Sequence, residues 1–137
     1  MTVFVDSSMW FAAAVRRDRG NARARAILEG ADALLTSDHV LTETWLLLNS
    51  RSGRDVAERF WEGLRRGAAR LEIITTADLE SAWNIGVTFA DQHFSLVDRT
   101  SFAMMERLGI KVAASFDEDF SIYRYGRTRE KAFDVLR

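Results

Sequence analysis

The amino-acid sequence predicts an α/β fold, a three-layer α/β/α sandwich around a mainly parallel sheet of four or five strands. Short apolar, β-rich runs alternate with segments of helical periodicity along the whole chain. The first run, residues 2–6, is the kind of sequence that a strand buried on both faces carries. The chain is 137 residues long and contains no linker-like stretch, so residues 1–137 read as one domain with one core. Right-handed crossovers would then place helices on both faces of the sheet.

The elements follow in order. Residues 2–6 are the first strand. Residues 8–17, with Met9, Trp10 and Phe11, read as a helix that Ser7 or Ser8 can cap. Gly20-Asn21 breaks it, and a second helical pattern runs from Ala22 to Leu28 and stops at Gly30. Residues 33–36 are the second strand. Ser37 and Asp38 cap a helix carrying Val40, Leu41, Thr44, Trp45 and Leu48, which Gly53 ends. Residues 54–69 space Val56, Phe60, Trp61 and Leu64 as an amphipathic helix does. Residues 71–75 are the third strand, and 77–92 a helix with Leu79, Ala82, Trp83, Gly86 and Ala90 on one side. Ser95 opens a helix that runs through Phe102 to Leu108 and stops at Gly109. Residues 110–115 are the fourth strand, 117–122 a helical turn and 133–136 a fifth strand. Trp10, Phe11, Trp45, Phe60, Trp61 and Trp83 read as core side chains, with a groove for a partner helix as the alternative.

Composition narrows the function classes. The chain is 47% hydrophobic and 28% charged, ordinary for a soluble domain, and its net charge is −1. It has no Cys, which excludes disulfides and thiolate zinc sites and fits a reducing cytoplasm. The N-terminal segment lacks a basic region, and Asp6 interrupts its apolar run, so it reads as neither a secretory signal nor a membrane span. With only two His, any metal would be a hard cation held by oxygen. The basic residues are 17 Arg and 2 Lys, and Arg makes forked contacts to phosphates.

The acids carry the chemistry. Asp6 ends the first strand, and Glu43 lies early in the helix after the second. Asp98 lies early in the helix that Ser95 opens, and Asp117 follows the fourth strand, with Asp119 close behind. Ligands of open parallel sheets bind beyond the carboxyl ends of the strands, and all these acids face that edge. Crowded carboxylates repel and take up protons unless a divalent cation offsets the charge. Mg²⁺ held this way, with Mn²⁺ as the alternative, can stabilise charge on phosphate oxygens. Each acid also has a plain structural reading. Asp6 would cap a helix, Glu43 would sit on a solvated face, Asp98 would complement a helix dipole and Asp117 would shape a turn.

In four segments the chain resembles the PIN-domain ribonucleases, and within them the VapC-type toxins of toxin–antitoxin pairs. The segments are Val-Phe-Val-Asp6-Ser-Ser, Leu-Thr-Glu43-Thr, Phe-Ser-Leu-Val-Asp98-Arg-Thr-Ser-Phe-Ala and Ala-Ala-Ser-Phe-Asp117-Glu-Asp119-Phe. The resemblance spans essentially the whole chain. It implies Asp6, Glu43, Asp98 and Asp117 as the catalytic, metal-binding set, with Asp119 as an added ligand. It also implies Mg²⁺- or Mn²⁺-dependent endonucleolytic cleavage of RNA, an antitoxin that obstructs the site, and a homodimer. Ser7 and Ser101 would support the carboxylates by hydrogen bonds, or else cap and pack their helices. Arg99, next to Asp98, would hold a substrate phosphate or form a surface ion pair. His93 would donate a proton or stand by. The basic stretches Arg16 to Arg25 and Arg124 to Lys131 would border an RNA path or meet an acidic partner. An aspartyl phosphohydrolase would want an acid where Ser8 stands, and a receiver domain has no place for Glu43 or the Asp98 segment. The competing function is a PIN-like module that binds metal or a partner without cutting RNA.

Overall fold

A computed structural model describes residues 1–137. Its elements are β1 (Thr2–Val5), α1 (Ser7–Ala14), α2 (Asn21–Gly30), β2 (Ala33–Ser37), α3 (Asp38–Ser52) and α4 (Arg54–Arg65), followed by β3 (Arg70–Glu72), α5 (Thr76–Thr88), α6 (Leu96–Leu108), β4 (Val112–Ala114), α7 (Asp119–Ile122) and β5 (Asp134–Leu136). The five strands lie in the order β3-β2-β1-β4-β5, and every pair is parallel. The chain winds outward from β1 to β2 and β3, then returns past β1 to β4. With right-handed crossovers, α1 to α4 cover one face and α5 to α7 the other. The direction of winding reverses between β1 and β4, which is where such sheets place their sites. In register, Val5 pairs with Ala114, so Asp6 and Ser115 leave the sheet side by side.

Local chemistry explains where the elements stop. The α1 helix ends at Ala14, earlier than its apolar pattern suggests, because the Asn21 amide donates to the carbonyls of Ala12 and Ala13 at 2.8 and 3.1 Å. Ser37 caps α3 by accepting from the Val40 amide at 3.0 Å. Asp38, by contrast, reaches across to accept from the Ile74 amide at 2.8 Å. That bond takes Ile74 out of the sheet ladder, and Thr75 then caps α5, so β3 is shorter than the apolar run 71–75. Capping boxes open both α5 (Thr75 with Asp78) and α6 (Ser95 with Asp98), and Gly109 ends α6 in the left-handed conformation at φ 68°.

The core is aromatic beneath the β1–β4 half of the sheet. Phe102 is fully buried and stacks on Tyr123 at 4.3 Å, with Phe120 edge-on at 4.9 Å. Phe102→Ala is expected to cost about 3–5 kcal/mol, read as a lower denaturant midpoint. Not every large aromatic joins this core. Trp10 does, while Phe11, Trp45 and Phe60 are half-buried. Trp61 and Trp83 are 44% and 67% exposed, which corrects the reading of them as core residues. The reason at Trp83 is that α5 turns Asp78, Ala82 and Ile85 inward. The Arg107 guanidinium grips Asp78 at 2.8 and 2.9 Å and fixes that rotation. No helix is long and apolar enough to cross a membrane.

Candidate active site

Asp6 occupies the cap position of α1 with extended backbone, yet its side chain caps nothing. Its carboxylate turns toward the end of the sheet. There Oδ2 accepts from Ser8 Oγ at 3.0 Å and Ser115 Oγ at 2.9 Å. Oδ1 is buried with no hydrogen-bond partner. Burial raises the pKa of Asp6, the three local donors pull it down, and the Glu43 charge pushes it up again. Glu43 projects from α3, and its Oε1 accepts a hydrogen bond from Ser7 Oγ.

Three further acids meet on the other side. The side-chain oxygens of Asp98, Asp117 and Asp119 lie within 4.8 Å of one another. Asp98 is buried, and the Ser95 amide donates to its Oδ2 at 3.4 Å. Burial first, then the charges of Asp6, Asp117 and Asp119, push Asp98 up to about 8. Burial also raises Asp119, opposed by a hydrogen bond with Asp98 and reinforced by Asp117. The loop after β4 is held in place by Ser8 and Ser115. Phe116 N donates to Ser8 Oγ at 2.9 Å, Asp117 N to Ser115 Oγ at 3.0 Å, and Asp119 N to Asp117 Oδ1 at 2.9 Å.

All five acids line one cavity of about 730 Å³. The site suits a divalent cation on two independent observations. Three carboxylates converge with no cationic side chain among them, and a buried carboxylate oxygen of Asp6 is left without a donor. Asp98, Asp117 and Asp119 would be the ligating group, with Asp6 beside it.

A model of the PIN domain family matches residues 3–125. The chain belongs to the PIN-domain family. Among its relatives is the "23S rRNA-specific endonuclease VapC20" of Mycobacterium tuberculosis. It is 39% identical over 126 residues, which cover 87% of this chain and 92% of that one. The crystal structure of that organism's VapC20, described as a "Sarcin-Ricin loop cleaving toxin", superimposes with a TM-score of 0.83 at 38% identity. The match covers 88% of this chain and 93% of that one. FitAcB from Neisseria gonorrhoeae has a TM-score of 0.63 at 13% identity over 86% and 88% of the two chains, a likeness of fold alone. This PIN domain is therefore of the VapC type, as its four acidic segments imply.

Two sequence expectations need correcting in this PIN domain. Arg99 does not face the cavity. Its guanidinium lies over Gly86 of α5, where even a Cβ would collide with it, and Nη1 donates to the Ala82 carbonyl at 3.4 Å. One residue along a helix is a turn of about 100°, which carries Arg99 off the face Asp98 occupies. Ser101 is buried and donates to the Val97 carbonyl at 2.7 Å, a bond within its own helix, and supports no carboxylate. His93 does line the cavity.

Sequence reasoning missed three residues here. Ser8, read only as a helix cap, and Ser115 fasten Asp6 and the Asp117 loop together, and Arg51 lines the cavity beside Arg19 of the first basic stretch. The run Asp6-Ser-Ser offered a signal for Ser8. Ser115 became legible only once β4 was paired beside β1.

Proposed function

We propose that this protein is a metal-dependent endoribonuclease, the toxin of a toxin–antitoxin pair, with residues 1–137 acting as one PIN-like unit. The observation that carries the reading is the convergence of Asp98, Asp117 and Asp119 beside the unpartnered Oδ1 of Asp6. The relative named as a 23S rRNA-specific endonuclease supports RNA as the substrate class. Mg²⁺, or Mn²⁺ in its place, would supply Lewis acidity here, drawing charge from the phosphate oxygens and making water easier to deprotonate.

The protein's own residues do the remaining work. Asp98, Asp117 and Asp119 hold the cation, and Asp6, pinned by Ser8 and Ser115, completes the set. Ser7 fixes one oxygen of Glu43 and leaves the other to orient water or accept its proton. These fixed carboxylates would set the line of attack on phosphorus. The reading includes a cytoplasmic location, an antitoxin that obstructs the cavity, and a homodimer. Exposed apolar side chains support the last two. Leu79, Trp83 and Val87 form a stripe on α5, and Leu46 and Trp61 stand out from α3 and α4.

The test is cleavage of mixed RNA by antitoxin-free protein. Internal cuts that appear with Mg²⁺ or Mn²⁺ and vanish in EDTA are expected. Folded protein that binds metal and cuts neither ribosomal, transfer nor messenger RNA would assign a non-catalytic binding module instead.

A further inference from the structure

A second hollow of about 690 Å³ lies along the seam between α1 and the α3–α4 hairpin. Arg16 and Arg17 reach it from the turn that follows α1, Arg59 from α4, and no acid lines it. None of the three belongs to any of the protein's ion pairs, although Arg54, Arg65 and Arg66 of the same helical layer are all paired with glutamates. The nearby Glu58 is taken by Arg54 and by the Trp45 indole. Three guanidiniums line one hollow without a carboxylate, and an anion with several oxygens can take forked hydrogen bonds from them.

The hollow adjoins the acid cavity. Arg51 and Ser52 are successive residues of α3, and Arg51 lines the acid cavity while Ser52 lines the hollow. Phe11 of α1 lines the cavity, and Ala14, one turn or about 4.5 Å further along the same helix, lines the hollow. At the junction the Arg51 guanidinium lies 5.6 Å from the centre of the Phe11 ring. Unpaired RNA bases stack on such aromatic and guanidinium faces.

We propose that the hollow is a phosphate subsite for the RNA strand beside the scissile bond, with the Phe11–Arg51 pair supporting the base between the two sites. The inference rests on the ribonuclease reading above. An acidic protein segment would use the guanidiniums but has no need of a stacking surface that leads into the acid cavity, so the observations favour RNA.

The test measures the salt dependence of binding to a short fluorescent single-stranded RNA in Mg²⁺, with Asp98→Asn protein as the parent so that the RNA stays whole. Arg16→Gln/Arg17→Gln/Arg59→Gln is compared with the triple Lys variant. The altered residues are exposed, so all three proteins should melt alike. Losing three phosphate contacts should flatten the log–log salt slope by about 2 in the Gln variant. The parent's advantage should therefore shrink roughly 20-fold between about 50 and 200 mM salt. The Lys variant should keep the parent's slope. An unchanged slope and affinity in the Gln variant, while Asp98 protein still cuts RNA, would overturn the subsite and leave the nuclease reading standing. So would loss of binding to a polyglutamate peptide with RNA binding intact, which would assign the hollow to an acidic partner. Absence of both RNA cutting by Asp98 protein and RNA binding by the parent would sink both readings.

Discussion

Asp98→Asn is expected to lower RNA cleavage by about 10²-fold or more, since even partners outside the ligand set of a metal cost 10–100-fold when removed. The same variant should remain folded. An Asn at 98 can still accept from the Ser95 amide, so the α6 cap survives, while the like-charge contact with Asp6, Asp117 and Asp119 loses a member. In metal-free protein at pH 8 its melting temperature should therefore equal or exceed the parent's. Asp78 provides the internal control, because it occupies the same capping-box position in α5 and is equally buried. Burial alone would raise its pKa, but the Arg107 guanidinium and the Thr75 cap hold it below the usual carboxylate range. Asp78→Asn should then destabilise the protein, by about 1–3 kcal/mol for a hydrogen-bonded charge pair lost, and leave cleavage intact. Cleavage and melting curves of the two variants check both halves. An Asp98→Asn protein that cuts RNA at the parent's rate, or that melts far below it without metal, would be incompatible with a cation site at these acids.

That contrast shows how much the sequence revealed. The alternation of apolar runs and helical periods was sufficient for the sheet, its parallel sense and the edge at which the acids gather. Even the fifth strand lies within one residue of its apolar run. The acids at 6, 43, 98, 117 and 119 were legible because each stands at a strand end or a helix start, and topology alone then makes them neighbours. What was not legible depends on side-chain direction. Arg99 is adjacent to Asp98 in sequence, but the helix carries it to the α5 side. Trp83 shares a helical period with Ala82, but the Asp78–Arg107 pair rotates it outward. Arg51 carries no motif, and only the packing of α3 against α1 puts it over Phe11 at the cavity wall. Periodicity fixes which residues share a face. It does not say which neighbouring element fixes the rotation of that face.

Metal and pH should act on stability through the same cluster. With metal chelated, Asp98 titrates in the folded protein near 8, against an ordinary carboxylate value of 3.8 once unfolded. Asp6 and Asp119 are raised as well, each first by burial. Between those two values the folded state holds protons that the unfolded chain has released, so stability is greatest below about pH 4 for these groups and falls as pH rises toward 8. At about 1.4 kcal/mol per unit, the loss from Asp98 across that window is on the order of 3–6 kcal/mol. Denaturant midpoints in EDTA should therefore fall from pH 5 through 6.5 to 8, and Asp98→Asn should flatten the decline. A divalent cation reverses the sign, because it needs the deprotonated carboxylates and binds more tightly as they lose protons. Mg²⁺ or Mn²⁺ at about 100 times its dissociation constant adds about 2.7 kcal/mol to the folded state. The stabilisation by metal should thus be small at pH 5 and largest at pH 8. A midpoint in EDTA that stays level or climbs over this range would mean that the acids are not forced together by the fold, and the cation would then have no buried charge to neutralise.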